Sequence, residues 1–348
     1  MRSPETAEVH EVHDPASGLH AWIVLDSLAR GPAFGGVRRQ VYSDAAAGLA
    51  DARRLARAMS LKCALAELPA GGGKTVILDH PGLDRPRAYE ALGAAIAALD
   101  GRYVCGPDIG TGAAELEALR RRCTWVNPAR NDAGRSTAQG VLAGLRGLSE
   151  VVFGDRDLGR RRYVIQGLGS VGGALARALR GAGAEVSAWD PRPSARAEAR
   201  SLGVRELSAE TIMLEPCDVF MPCALGQTLD LGACRRGSWE AVCGSANNQL
   251  VDGAAAEVLR ARKIAWAPDF VVNAGAVIEG VLSVGVEPQG PPELTALEAE
   301  VEAAIQKIEA RCARILRVSL DAEASPFEVA IADGQARLKV SDGPGQSG

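Results

Sequence analysis

Tyr163-Val164-Ile165-Gln166-Gly167-Leu168-Gly169-Ser170-Val171-Gly172 is the stretch on which the fold turns. A buried strand, Tyr163 to Gln166, runs directly into three glycines spaced G-x-G-x-x-G, and a helix from Val171 to Ala182 follows. That context gives the glycines distinct tasks. Gly167 permits a tight turn, Gly169 lets the backbone approach a pyrophosphate, and Gly172 lets the helix pack close on the strand. The helix start, with Ser170 and Val171, supplies free N–H groups and the positive end of a dipole. A second strand, Glu185 to Trp189, ends in Asp190. A carboxylate at about that distance can accept hydrogen bonds from both hydroxyls of an adenine ribose and repels a 2′-phosphate, which favours NAD over NADP. Arg192 stands close enough to serve a 2′-phosphate instead. The bland alternative is a glycine turn with an ordinary strand-end acid.

Outward from this turn, strands and helices alternate. Toward the C-terminus, strands are expected at Asp218 to Met221 and Ala241 to Cys243, which with the first two argue for a parallel, doubly wound sheet. Toward the N-terminus, strands are expected at Leu19 to Leu25, Thr75 to Leu78 and Tyr103 to Cys105. Helices are expected at Asp44 to Met59, Arg85 to Leu99 and Ala113 to Arg122. The run Pro69-Ala-Gly-Gly-Gly73 reads as a turn. Asn127 to Ser136 has loop composition and marks a domain boundary, after which a helix runs from Thr137 to Val151. Leu294, Leu297, Val301, Ile305, Ile308, Cys312 and Ile315 form an i, i+3/i+4 stripe on one long helix. The polar tail from Ser341 is expected to fray.

A chain of 348 residues favours two domains, with a cleft expected between two lobes. Hydrophobic residues at 47%, charged residues at 24% and a net charge of −4 describe a globular protein with a sizeable core and no nucleic-acid partner. The first residues lack the basic and apolar regions of a signal peptide, and no apolar run spans a membrane, so a cytoplasmic protein is expected. The eight cysteines show no Cys-x-x-Cys, and the histidines fall at 10, 13, 20 and 80. Reduced thiols and no metal site are expected.

Only five of the 39 basic residues are lysine, and two of the five, Lys62 and Lys74, stand twelve apart. An ammonium can lose its proton when desolvated beside another cation and so act as a general base, which a guanidinium cannot. On spacing alone, two surface lysines beside a flexible glycine turn remain an equal alternative. Asp108 reads either as an acid in a site or as the cap of the following helix.

The segment MSLKCALAELPAGGGKTVIL (residues 59–78) resembles the glycine-rich active-site segment of the leucine, phenylalanine, valine and glutamate dehydrogenase family. Further similarities follow in the family's order: GPAFGGVR (31–38), YVCGPDIGTG (103–112), TAQGV (137–141), GLGSVG (167–172), CDVFMPCALG (217–226), GSANNQL (244–250) and APDFVVNAGAVI (267–278). They cover roughly residues 18 to 280. The resemblance is to the leucine/phenylalanine/valine branch. It implies an α/β fold of two lobes: an N-terminal α/β substrate domain (1–136), a Rossmann-type doubly wound parallel sheet binding NAD (137–290), and a C-terminal helix packing back toward the cleft, with a tail (291–348).

Carried over by position, the resemblance implies that Lys62 binds the substrate α-carboxylate and Lys74 activates the attacking water. Asp108 shuttles protons on the substrate nitrogen. Asn273 positions the substrate near the nicotinamide, and Thr137 hydrogen-bonds its carboxamide. Asn247, with Asn248, looks like a residue of the nicotinamide-ribose region, the alternative being an ordinary turn. The implied activity is NAD-dependent oxidative deamination of an apolar L-amino acid, in a homo-oligomer. Two rival readings are a catalytically silent NAD or amino-acid sensor and a dehydrogenase for an unusual biosynthetic amino acid.

Glutamate-specific relatives carry a lysine before the Gly35-Gly36 pair. Here the residue is Phe34, which offers a side-chain carboxylate no partner, so an apolar side chain is expected. Gly106 removes a methyl that leucine-type relatives carry and makes room, while the bulk of Phe34 takes room back. Branched aliphatic and aromatic substrates both stay open. Gly134-Arg135, in place of the family's Ser-Pro, and the stretch from Glu279 to Glu293 depart from the family pattern.

Overall fold

The computed structural model describes residues 7–224 and 226–341, so the tail beyond Ser341 lies outside the described residues. The chain divides into two units. The first comprises the residues up to Asn131, Val277–Ala299 and those from Asp333; the second comprises Asp132–Ala276 and Glu300–Ala332.

In the first unit, strands β1 (Glu8–Asp14), β2 (Leu19–Leu25), β3 (Ala33–Gln40), β4 (Gly71–Leu78) and β5 (Tyr103–Gly106) form one sheet, in the order β1-β2-β4-β3-β5. The β1/β2 and β2/β4 pairs are antiparallel, whereas β3 runs parallel to both β4 and β5. Strand alternation sorts β2 between two cores. Leu19, Ala21, Ile23 and Leu25 join Tyr89, Leu92, Ile96 and Leu119 of helices α2 (Arg85–Ala97) and α3 (Ala113–Arg120), while Trp22 and Val24 join Ala52 and Ala56 of helix α1 (Ala45–Leu65).

The glycine run at 71–73 is not a turn but the start of β4. Crowding explains it. A Cβ on Gly71 would lie 1.8 Å from the Ser27 carbonyl oxygen, one on Gly72 would lie 2.0 Å from the Ser60 amide, and one on Gly73 would lie 2.8 Å from the Tyr103 ring. The helix facing this strand is equally spare. Asp44 caps α1 by accepting the Ala47 N–H at 2.7 Å, and its buried stripe Gly48, Ala52, Ala56 and Ser60 carries only small side chains.

The second unit carries the expected doubly wound sheet. Its strands are β6 (Arg162–Gln166), β7 (Glu185–Trp189), β8 (Arg205–Glu206), β9 (Cys217–Pro222), β10 (Trp239–Val242) and β11 (Ala265–Trp266), all parallel, in the order β11-β10-β9-β6-β7-β8. Helices α4 (Ala133–Phe153), α5 (Ser170–Gly181), α6 (Pro193–Ser201), α7 (Leu231–Arg236), α8 (Gly253–Ala261) and α9 (Asp269–Val272) connect and flank the strands. The strand order reverses between β6 and β9, which makes the C-terminal end of β6 the topological switch point where such sheets bind ligands. Helix α10 (Gly275–Ser283) follows, then the long helix α11 (Pro291–Asp321) and α12 (Pro326–Ser341). Leu297 to Ile315 of the predicted stripe are buried, though Leu294 at its start is exposed. Glycines of α4 admit its neighbours: a Cβ on Gly147 would sit 2.2 Å from the Glu309 carbonyl of α11.

Gly72→Ala tests this reading of β4. Because the obstacle is the α1 backbone, helix and strand must separate, and a loss of about 1–3 kcal/mol or more is expected, measured by denaturant unfolding. Gly169→Ala, with nothing within 4 Å of the added methyl, should leave unfolding unchanged.

Candidate active site

Lys74 is the first residue of β4 with a side chain. It pairs with Val24 across the sheet, and only 7% of its side chain is exposed. Its ammonium donates to the carboxylate of Asp108, which lies just beyond β5 in a turn where the Ile109 N–H donates to it at 2.6 Å. Arg38 of β3 approaches the other Asp108 oxygen at 3.4 Å. The same guanidinium reaches Asp51 of α1 at 3.3 Å, and Asp51 accepts from the Tyr42 hydroxyl at 2.8 Å and from Arg54 at 2.6 Å. Glycines again make the space: a Cβ on Gly36 would meet Pro107 O at 2.6 Å and Lys74 Nζ at 3.2 Å, and one on Gly35 would meet Gly73 O at 1.8 Å.

This arrangement sets the protonation of the pair. Burial pushes the Lys74 ammonium below the ordinary lysine range, with Arg38 adding to the push and Asp108 opposing it. Burial alone would raise Asp108, but Lys74 and Arg38 outweigh it and hold the carboxyl below its ordinary value. Lys74 therefore gives up its proton more readily than an ordinary lysine, beside a carboxylate held ionised.

Lys62 lies in the last turn of α1, partly buried. Ser60, two residues before it, abuts Gly72, two residues before Lys74, so the two lysines stand on adjoining elements. Phe34 is buried on β3, and its ring leans on α10, where a Cβ on Gly280 would lie 2.4 Å from the ring edge. Gly106 faces Asn127, and a methyl there would make an ordinary 3.5 Å contact, so the glycine does leave room for one.

The second unit assembles the nucleotide residues. Gly167 adopts φ 96°, and a Cβ on Gly172 would strike its carbonyl oxygen at 2.0 Å, so both glycines serve the turn itself. Gly169 serves what binds there, because its Cβ position opens onto empty space and no side chain caps α5. Uncapped N–H groups beside an open glycine fit a pyrophosphate. Ser170 is exposed and Val171 half-buried at this helix start.

Asp190 is buried, accepting the Leu168 N–H at 2.8 Å, the Arg192 N–H at 2.9 Å and the Arg192 guanidinium at 3.0 Å. Burial raises its pKa, but the hydrogen bonds from Arg192 and Leu168 outweigh that and bring the carboxyl down to about 2. Arg192 is thereby engaged with Asp190 and with the Leu168 carbonyl at 3.0 Å.

Close to this turn, a Cβ on Gly134 of α4 would lie 2.8 Å from Ser170, and one on Gly275 would lie 1.8 Å from the Ser136 carbonyl. These approaches bring Thr137, half-buried on α4, to the loop that carries Asn273. Asn273 is buried and donates to Ser245 O at 3.1 Å and Asn247 Oδ1 at 2.9 Å. Asn247 and Asn248 are exposed, and Asn248 is held in a left-handed conformation, φ 51°, with its N–H donating to the buried Asp269 at 2.9 Å. Arg135 is exposed on α4.

Sequence reasoning missed Arg38, Asp51 and Asp269. Arg38 closes the GGVR motif, and its alternation with Gly36 on β3 was the available signal; Asp269 lies within the APDFVVNAGAVI segment (267–278), while nothing in the sequence connects Asp51 to a site.

An uncapped helix start beside an open glycine at the switch point of a parallel sheet, in a chain that also carries a buried lysine–carboxylate pair, fits the class of nucleotide-dependent enzymes. Comparison with known proteins narrows the class. Residues 6–124 match the Glu/Leu/Phe/Val dehydrogenase dimerisation domain, and residues 194–330 match Glutamate/Leucine/Phenylalanine/Valine dehydrogenase. Residues 135–227 match the NAD binding domain of D-isomer specific 2-hydroxyacid dehydrogenase. The chain is 34% identical over 307 residues to phenylalanine dehydrogenase of Caldalkalibacillus thermarum strain TA2.A1, covering 84% of this chain and 82% of that one. It is 41% identical over 282 residues to valine dehydrogenase of Streptomyces albus, covering 76% of each. The crystal structure of L-tryptophan dehydrogenase from Nostoc punctiforme superposes with a TM-score of 0.84 at 26% identity, over 96% of both chains.

The chain belongs to the Glu/Leu/Phe/Val dehydrogenase family, in its leucine/phenylalanine/valine branch. It is an NAD-dependent oxidoreductase acting on the CH–NH2 group of amino acids. The α/β fold with a Rossmann-type sheet is as expected. Among the described residues no helix is long and apolar enough to cross a membrane.

Gly169→Ala should raise KM for NAD by about tenfold, since a methyl fills the open space that fits a pyrophosphate. Steady-state kinetics at saturating amino acid checks this, alongside the unchanged unfolding noted above.

Proposed function

We propose that this protein oxidatively deaminates an apolar L-amino acid to its 2-oxo acid and ammonium, runs the reverse reductive amination, and uses Lys74 and Asp108 as its base and proton shuttle. The observation that carries the reading is the buried Lys74–Asp108 pair, with a lysine base poised below its ordinary range. NAD held at the nucleotide turn would supply the hydride acceptor for the substrate Cα. Lys62 holds the α-carboxylate, and Lys74 takes a proton from the water that attacks the resulting imino acid. Asp108 moves a proton to and from the nitrogen, so that ammonia leaves as the C–N bond breaks and the carbonyl forms. Gly35 and Gly36 keep the backbone clear for these groups, and Phe34 and Gly106 line the space for the side chain.

On the cofactor side, Gly167, Gly169, Ser170, Val171 and Gly172 receive the pyrophosphate and Asp190 the adenine ribose. Thr137, Asn247 and Asn273 serve the nicotinamide end. In this reading residues 1–136 form the substrate-binding region, residues 137–290 bind NAD, and residues 291–348 form the C-terminal helical segment. The match to a dimerisation domain supports a homo-oligomer, and eight free cysteines support a reducing, cytoplasmic setting.

NADH formation at 340 nm with a panel of L-amino acids tests the reading. Turnover of leucine, valine, isoleucine, phenylalanine, tryptophan or methionine is expected, with Lys74→Ala lowering kcat by about 10²–10⁴-fold, the usual contribution of a positioned base. Glutamate, whose carboxylate would lie unpaired beside Phe34, should fall behind by about a hundredfold or more in kcat/KM. NAD binding without turnover of any of these would refute the proposal.

The base must be neutral to take a proton, so oxidative kcat/KM should rise with pH through the Lys74 pKa. Because burial lowers that pKa, the rise should be centred below the ordinary lysine value of 10.5. A rise that persists unchanged in Lys74→Arg would assign it to another group.

A further inference from the structure

Glu11, His13 and His20 have no metal-binding spacing along the chain, but strand register changes their relation. In the antiparallel β1/β2 pair His13 faces His20, and Glu11 faces Trp22. Alternate residues of a strand share a face, so Glu11 and His13 stand side by side with His20 across from them. The connecting turn is well tied. Ser17 Oγ donates to the Asp14 carboxylate at 2.6 Å, Gly18 adopts φ 75°, and the His80 ring meets the Gly18 carbonyl at 2.9 Å.

The imidazoles are also positioned. Those of His13 and His20 stack with centroids 4.0 Å apart, and the His20 ring rests 4.4 Å from the ring of buried Trp22. Both rings turn Nε2 toward one Glu11 oxygen, at 3.1 Å from His13 and 2.8 Å from His20. All three ligand atoms lie within 4.8 Å of one another.

We propose that Glu11, His13 and His20 form a surface site for a divalent transition-metal ion of the zinc class. Two imidazole nitrogens and one carboxylate oxygen are a donor set that zinc takes, with a fourth position left for water. A tetrahedral zinc with bonds of about 2.0–2.1 Å spaces its ligand atoms about 3.3 Å apart, within small rotamer adjustments of the present arrangement. The ion takes the place of the ring–carboxylate hydrogen bonds, and the exposed Glu11 and His13 side chains give it an entry path. Bound there, it pins the edge strand β1 to β2. None of the three residues belongs to the acid–base cluster or to the nucleotide loop, so the site stands apart from the dehydrogenase chemistry.

The test uses tag-free full-length protein stripped with EDTA and titrated with Zn2+ against a chromogenic chelator. His13→Ala, His20→Ala and Glu11→Gln are compared with His10→Ala and His80→Ala, which cover the remaining histidines of the chain. The expected result is one equivalent bound by wild type and by the His10 and His80 variants, at least tenfold weaker in the other three. Zinc should raise the Tm of wild type but not of His13→Ala or His20→Ala, with zinc-free dehydrogenase activity equal in all. Equal zinc affinity in His13→Ala and wild type, as a cysteine site would give, overturns the proposal, and so does the absence of stoichiometric binding at micromolar zinc.

Discussion

Backbone meeting backbone around Gly71–Gly73 is the constraint on which the first unit depends. Ser27, Ser60 and Tyr103 occupy the places where three consecutive side chains of β4 would stand, and Gly35 lets β3 close on Gly73 from the other side. Such contacts leave no slack, because a methyl in a close-packed site cannot be absorbed by a rotamer change when its neighbour is main chain. Lys74 is the first side chain after this paved stretch. Its ammonium is consequently placed by strand geometry and not by loop conformation, which suits the catalytic role proposed for it, where fractions of an ångström matter.

The electrostatics follow from the same burial. An ammonium removed from water is costly, and Asp108 offsets the cost only while both partners are charged. Arg38 alters that balance. It stays charged at any working pH, favours ionised Asp108, and disfavours the proton on Lys74. When Lys74 gives up its proton, Asp108 therefore still has a cation beside it. Asp51, itself held by Tyr42 and Arg54, neutralises the far side of Arg38. Residues from β3, β4, α1 and the turn after β5 thus make one lysine able to change charge inside a protein.

Much of this was legible in the sequence because the signals were local. The nucleotide turn could be read from strand, glycine spacing and helix within ten residues, and β6, α5 and β7 lie where the pattern put them. Lys74 and Asp108 stood out through scarcity of lysine and through family resemblance. The unread parts depend on contacts between distant segments. Arg38 and Asp51 meet Asp108 through sheet order, and Asp269 holds the Asn248 loop from 21 residues away. Strand β1, with its mix of acids and histidines, carries no clean alternation and was not expected at all. Only pairing with the strongly apolar β2 makes it a strand.

The misread glycines carry the more general point. At Gly167 the conformation itself needs glycine, since φ is 96°, and a local rule recognises it. At Gly72 the backbone is an ordinary strand and the requirement comes wholly from Ser60 and Ala56, at least twelve residues earlier, on a helix the strand meets only through folding. Turn and strand glycines look alike as letters but answer to different physics, one to torsion and the other to distance. A glycine run followed at once by a scarce lysine in a β-branched segment, Lys74-Thr75-Val76-Ile77, fits the second case. The β-propensity downstream argues that the chain is already extended, and the glycines then mark where something approaches it.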